Sequence, residues 1–152
     1  MITRTLQLRF LITVATLLTL MFLLGQTMAV INYDFTVSLG LQESQDAVTE
    51  IGVAANKGFG VGDTVVYIPL FVLGIAGMIK RRYWGFFCMC GALAITVYWP
   101  VVCLTLLYYA KGAPGFTFSA YAEYTVLLSA ITAYGIWGLV FIYRNRTALT
   151  DG

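Results

Sequence analysis

The sequence predicts an all-α integral membrane protein: a four-helix transmembrane bundle with a small extracytoplasmic element built from one strand and one amphipathic helix. Three observations predict this class. Hydrophobic residues make up 60% of the chain and charged residues only 11%, whereas a soluble domain carries about 25% charged residues. Four apolar stretches approach the length needed to cross a bilayer. Cations and acids then alternate between the segments that connect these stretches.

The charge segregation predicts how the chain is threaded. Segments assigned to the cytoplasm hold the cations Arg4, Arg9, Lys80, Arg81, Arg82, Arg144 and Arg146. Segments assigned to the outside hold the acids Asp34, Glu43, Asp46, Glu50, Asp63 and Glu123, beside only Lys57 and Lys111. Because cytoplasmic loops are enriched in Lys and Arg, both termini are expected in the cytoplasm. The basic residues therefore report topology, and nucleic acid is not an expected partner.

A single membrane domain is expected over residues 1–152. Its predicted spans are 10–31, 64–79, 83–109 and 120–143, with a long outer segment at 32–63. The first span could instead be a signal peptide cleaved after Ala29, although its apolar stretch is longer than the roughly 7–15 residues of a typical signal. The second span reaches only about 24 Å at 1.5 Å per residue, so we expect snorkelling by the cations that follow it.

The outer segment contains two local patterns. Apolar and polar residues alternate from Tyr33 to Leu39, which predicts a half-buried strand, and residues 116–119 alternate in the same way and could pair with it. Apolar residues at helical spacing then predict an amphipathic helix that begins at Ser44 and ends at Lys57-Gly58. Asp63 is expected to cap the second span.

Two prolines, Pro69 and Pro100, lie in the outer halves of the second and third predicted spans. A proline inside a helix removes a backbone hydrogen bond, which a membrane tolerates where the freed carbonyl meets protein or a cavity. One interpretation is a ligand pocket in the outer half of the bundle, suited to a cation or an amine. Its predicted lining is Asp63, Tyr67, Tyr98, Trp99, Glu123 and Tyr124. The alternative is two structural kinks with packed aromatic rings and helix-capping acids.

Catalytic and metal-binding signatures are missing from the sequence. There is no histidine, which removes the commonest metal ligand and proton shuttle. The cysteines Cys88, Cys90 and Cys103 all fall in one apolar stretch, and Cys88 and Cys90 point to different faces of a helix. We expect them to pack as small hydrophobic residues. No catalytic residue, metal site or cofactor is therefore assigned.

Small residues recur at the spacing of one helix face. Thr125, Ser129 and Ala133 follow one face of the fourth span, while Gly135 and Gly138 lie on another side of it. In the second span, Gly74 and Gly77 are similarly placed. Because small side chains allow helices to approach closely, these positions predict helix–helix interfaces, including one with another subunit. The lipid bilayer and a homo- or hetero-oligomer are the expected partners.

These observations favour a small polytopic membrane protein that acts as an accessory, scaffold or assembly subunit through helix and outer-loop contacts. The alternative is a small-molecule, lipid or cation binding or transport protein that uses the outer-half pocket. A membrane-embedded enzyme is least favoured because histidine is missing. The compact loops and the lack of an outer disulfide favour the bacterial inner (plasma) membrane over a eukaryotic cell surface.

Overall fold

The computed structural model describes residues 2–150, which are helical over most of their length. Two five-residue π-helical turns, Leu23–Thr27 and Asp63–Tyr67, join α-helices end to end, so that the chain forms four long helical segments. The α-helices in this range are α1 (Ile2–Phe22), α2 (Met28–Ile31), α3 (Tyr33–Ser38), α4 (Gln45–Gly62), α5 (Ile68–Ile79), α6 (Tyr83–Ala110) and α7 (Tyr121–Thr150).

Four helical segments within residues 2–150 are long and apolar enough to cross a membrane: Thr5–Ile31, Gln45–Ile79, Tyr83–Ala110 and Tyr121–Thr147. The predicted all-helical class with four candidate spans is therefore confirmed. The third segment coincides with its prediction to within one residue. The second segment is much longer than the predicted 64–79, and its length no longer requires snorkelling.

The extra length of the second segment corrects two predictions. Helix α4 starts directly after Ser44, as predicted, but it does not end at Lys57-Gly58. Asp63 is not a helix cap either, because its φ of −64° and ψ of −41° are helical and the chain continues into α5. The reason is tertiary. A Cβ atom on Gly60 would stand 2.7 Å from the carbonyl oxygen of Gln26, so the glycine-rich stretch stays helical while it packs directly against the first segment.

The predicted strand is wrong, because residues 33–38 form helix α3. Asn32 has an extended backbone, and its side-chain oxygen accepts a hydrogen bond from the backbone N–H of Phe35 at 3.1 Å, which starts a helix. Tyr33 and Thr36 are buried one helical turn apart, whereas Phe35 is exposed. The alternation therefore does not correspond to two faces of a strand.

The expected partner of that strand, residues 116–119, has no regular secondary structure and packs elsewhere. The backbone N–H of Thr117 donates to the carbonyl of Ala47 at 2.9 Å, and the Thr117 hydroxyl contacts the carbonyl of Asp46 at 3.3 Å. The connection between α6 and α7 is therefore attached to the start of α4. No strand is present anywhere in residues 2–150.

Helix α6 packs against α5 on one side and α7 on the other. A Cβ atom on Gly77 of α5 would overlap the backbone of Gly85 in α6, so the two helices are in backbone contact beside their short connection. Gly138 of α7 packs against Leu93 of α6. The ring of helices is closed by Tyr134, whose hydroxyl donates to the carbonyl of Leu11 in α1 at 2.8 Å.

Candidate functional site

The two π-helical turns pack against each other, and we call residues 23–27 and 63–67 together with Gly60 the π junction. The side-chain oxygens of Thr27 and Thr64 lie 2.8 Å apart across it. The Thr64 hydroxyl also donates to the carbonyl of Gly60 at 2.7 Å. A hydroxyl has a single proton, so Thr27 is the donor in the bond to Thr64. Single π-helical turns occur frequently at functional sites.

Backbone groups at the π junction depart from the regular helical pattern. The N–H of Met28 reaches the carbonyl of Leu23, and Asp63 accepts in the same way from the residue five positions on. The carbonyl of Gly25 accepts from the side-chain amide of Gln42 at 3.2 Å. Pro69 follows the second turn and has no N–H, so that turn lacks one helical donor. The junction is therefore polar in a part of the chain that is otherwise apolar.

Three buried side-chain atoms have no hydrogen-bond partner within residues 2–150: Oε1 of Gln26, Oδ2 of Asp63 and Nε1 of Trp99. Asp63 is the most enclosed of these residues, with only 4% of its surface exposed. A buried polar atom that loses water without a replacement partner costs about 1–3 kcal/mol, and a charged one costs more. Two acceptors and one donor are thus left unmatched in this part of the interior.

Aromatic rings pack around Trp99 and the neighbouring Tyr67. Phe22 packs edge-on against Tyr67, with ring centroids 4.8 Å apart, and against Trp99 at 5.3 Å. The Tyr67 hydroxyl donates to Thr96 at 2.7 Å, because the Thr96 proton is already used on the carbonyl of Ala92. The Tyr67 side chain is therefore held in place next to the candidate site by its contact with Phe22 and its hydrogen bond to Thr96.

Asp63 lies near Tyr67 and near a cysteine of α6. Its carboxyl interacts electrostatically with the Tyr67 phenol and with the thiol of Cys103 in α6. Cys103 lies one helical turn beyond Trp99 on the same helix. Of the predicted residues, Asp63 thus lies near Tyr67, and Tyr67 and Trp99 both pack against Phe22.

The connection between the first two long helical segments packs beside Tyr124 of α7. Tyr33 of α3 donates its hydroxyl proton to the carbonyl of Glu43 at 2.9 Å and accepts from Asn56 at 3.0 Å. Burial raises the pKa of the Tyr33 phenol, the hydrogen bond from Asn56 opposes that rise, and the Glu43 carboxylate adds to it. Tyr124, another predicted site residue, is half-buried next to Glu43 and Cys103.

Tyr98 and Glu123 do not join this group. Tyr98 is 68% exposed on the outside of α6. Glu123 is exposed on α7, where it lines an open surface depression with Ala122, Val126, Leu127 and Ala130. Asp63 is buried, so the two carboxylates face different surroundings instead of sharing one mouth.

Sequence reasoning did not single out Gln26, Thr27 and Thr64. The available signal was an isolated Gly25-Gln26-Thr27 inside an apolar run, since polar residues are rare and costly in such a run. Within the described residues no three His, Cys, Asp or Glu side chains are grouped to hold a metal ion.

The predicted small-residue positions fall into two groups. Gly74 and Gly77 are buried against α6 in the same chain, so their close approach is intramolecular. Thr125, Ser129 and Ala133 are exposed along one side of α7. Gly135 and Gly138 of the same helix face α6.

The fold and this site were compared with known proteins. No family model matches the chain, and neither a curated protein nor a solved structure shows significant similarity to it.

Proposed function

We propose that this chain is a multi-pass membrane protein that binds a small cation at the π junction, in the half of the bundle that faces away from the cytoplasm. The cation would be an inorganic monovalent ion or a protonated amine. The single observation behind the proposal is the orphaned Oδ2 of Asp63, a carboxyl that is 4% exposed and unpaired within residues 2–150.

The chemistry of the orphaned atoms supports a cation. An unpaired carboxylate in the interior costs several kcal/mol, and a bound cation removes that cost. Gln26 supplies a second acceptor through Oε1. The unpaired N–H of Trp99 requires an acceptor instead. An amine that also carries a hydroxyl or carbonyl group offers a positive charge to Asp63 and an acceptor to a donor such as Nε1 of Trp99, and an inorganic cation with a bound water offers the same two groups.

Helix geometry supports the position of the site. Residues 63 to 80 and residues 9 to 26 each cover about 25 Å at 1.5 Å per helical residue. Asp63 and Gln26 would therefore lie together near the outer side when Lys80 and Arg9 lie at the cytoplasmic surface. This threading places both termini in the cytoplasm, and the bacterial inner (plasma) membrane is the proposed location.

The ligand test compares Asp63→Asn with Asp34→Asn, which removes an exposed acid from the same end of the protein. Thermal unfolding of the purified protein in mild detergent is followed during titration with NaCl, with choline chloride at equal ionic strength, and with ethanolamine. We expect sodium or ethanolamine to stabilise the wild type and Asp34→Asn, and to leave Asp63→Asn unchanged. Equal stabilisation of all three proteins by either probe would refute the proposed site. The proposed site would also be refuted if sodium and ethanolamine stabilised the wild type no more than choline does.

The threading has its own test. Single cysteines are introduced at Ser44 or Thr147 after Cys88, Cys90 and Cys103 are replaced by alanine. An impermeant maleimide added to intact bacteria should label the cysteine at position 44 and not the one at position 147. Labelling of position 147 from outside would reverse the orientation and place Asp63 near the cytoplasm.

An accessory, scaffold or assembly subunit is the second candidate function. The observation that favours it is the exposed row of Thr125, Ser129 and Ala133 on α7, because small residues suit close contact with a helix of another subunit. Ser129→Leu should dissociate such a homo- or hetero-oligomer in native mass spectrometry, whereas Ala94→Leu on an exposed position of α6 should not. A complex that survives Ser129→Leu would exclude this face.

A further inference from the structure

A second candidate site lies at the opposite end of the bundle, between α1 and α7. A cavity of about 190 Å³ opens there and is lined by Gln7, Trp137, Val140, Phe141, Arg144 and Asn145. It shares no residue with the π junction. Its lining combines one cation and two amides with apolar and aromatic side chains.

The cation in this cavity is the guanidinium of Arg144, and its charge is not paired with an acid in the part of the chain that the structure describes. Arg144 is exposed, and no hydrogen bond or ion pair engages it within residues 2–150. Its neighbour Arg146 is engaged, because it lies over the Tyr143 ring at 4.9 Å and donates to the Tyr143 carbonyl at 3.3 Å. Lys80, Arg81 and Arg82 connect α5 to α6 as a run of exposed cations. An anion is therefore the complementary ligand.

Apart from Arg144 and the amides of Gln7 and Asn145, the lining is apolar. The rings of Trp137 and Phe141 are stacked, with centroids 5.5 Å apart and an interplanar angle of 9°. Phe10 packs edge-on against Trp137 at 5.2 Å and is itself more than half exposed. A free phosphate gains nothing from contact with these apolar side chains. The first carbons of a lipid chain would cover them and remove their surface from water.

We propose that this cavity binds the phosphate group of an anionic phospholipid, with the guanidinium of Arg144 on the phosphate and the lipid chain over Val140 and Trp137. Arg144 is suited to the task because its planar N–H groups match two phosphate oxygens. The volume accommodates a phosphate and its ester linkage and leaves the chains outside. Basic pockets between helices on the cytoplasmic side are a known way to hold anionic lipid headgroups. The inference rests on the proposed membrane insertion but not on cation binding at Asp63.

The experiment uses Trp137 as the reporter. The tryptophans Trp84 and Trp99 are replaced by phenylalanine, which leaves Trp137 as the only one. The full-length protein is reconstituted in vesicles that contain brominated phosphatidylglycerol or brominated phosphatidylcholine, since bromine quenches tryptophan on contact. We expect phosphatidylglycerol to be preferred about fivefold, the effect of one cation on an anionic headgroup. Arg144→Gln should bring the preference close to one.

Lys80→Gln is the matched control, because it removes an exposed cation from the same end without touching the cavity. It should keep the preference. An unchanged preference in Arg144→Gln, or an equal loss in both variants, would show that general surface charge attracts the lipid and would overturn the proposal.

Two further measurements separate the sources of failure. Millimolar inorganic phosphate, balanced against chloride at constant ionic strength, should not restore Trp137 fluorescence. Restoration would assign the cavity to a soluble phosphate and would overturn the lipid assignment. Flotation of the protein with the vesicles tests insertion separately, and a protein that does not float would refute the membrane proposal and this one with it.

Discussion

The hydroxyl oxygens of Thr27 and Thr64 lie 2.8 Å apart, and each belongs to a π-helical turn, one in each of the first two long helices. The bond joins the two π-helical turns of these helices directly. Next to it, Gly60 brings the backbones into contact, and Asp63 turns an unpaired oxygen inward. The same contact therefore holds the helices together and positions the candidate ligand site.

The Thr27–Thr64 bond should appear as an energetic coupling. In a double-mutant cycle with Thr27→Val and Thr64→Val, we expect a coupling of about 0.6 kcal/mol, the average for polar pairs between membrane helices. The free energy of unfolding is measured in mixed detergent micelles. Thr16 provides the control, because it is exposed and its hydroxyl bonds only to the carbonyl of Ile12 in its own helix. A cycle of Thr16→Val with Thr64→Val should show no coupling. A Thr27–Thr64 coupling that is also zero would contradict the observed bond.

Gly60 and Gly58 should respond in opposite directions to alanine. A Cβ atom on Gly60 would stand 2.7 Å from the carbonyl oxygen of Gln26, so Gly60→Ala should push the helices apart and cost about 1–3 kcal/mol. A Cβ atom on Gly58 meets nothing within 4 Å, so Gly58→Ala should stabilise the helix by about 1 kcal/mol. Thermal unfolding of both variants measures the difference. Equal effects would mean that the first two segments do not meet at Gly60.

The contact between Gly77 and Gly85 should likewise not tolerate a larger side chain. Gly77→Ala would force α5 away from α6, and we expect a loss of about 1–3 kcal/mol in unfolding free energy. Gly91→Ala is the comparison, because its Cβ atom would make an ordinary contact with Leu70 at 3.4 Å. If Gly77→Ala unfolded at the same temperature as Gly91→Ala, the backbone contact would be ruled out.

Tyr33 should make stability depend on pH in the alkaline range. Burial raises the pKa of its phenol above the ordinary value, so the folded protein holds this proton more tightly than the unfolded chain does. The resulting stability is complete below about pH 10, the ordinary pKa of tyrosine, and is lost as the pH rises through the folded pKa. Tyr33→Phe removes this titration, and its unfolding temperature should fall less steeply above pH 10 than that of the wild type. Identical slopes would contradict the burial of this phenol.

The sequence was sufficient for the four long helices. Long apolar stretches separated by charged connections predict helices because backbone groups in an apolar environment must pair within their own segment. The sequence predicts Asp63, Tyr67 and Trp99 as site residues because an acid and aromatic residues next to prolines are unusual in such stretches, and that role stays a prediction. The small residues of the second span were recognised by spacing, although spacing could not tell that Gly74 and Gly77 face α6 in the same chain.

The tertiary structure decided the rest. Local signals in residues 33–39 predicted a strand, but the Asn32 cap and the burial of Tyr33 and Thr36 produce a helix. Glycines before Asp63 predicted a helix break, but their contact with the first segment keeps them helical. The sequence by itself determined which four long stretches are helical and apolar, because that choice depends on side-chain transfer and local hydrogen bonding. Only the tertiary structure decided where the π-helical turns fall and which polar atoms stay unpaired, because both depend on two distant helices meeting at Gly60.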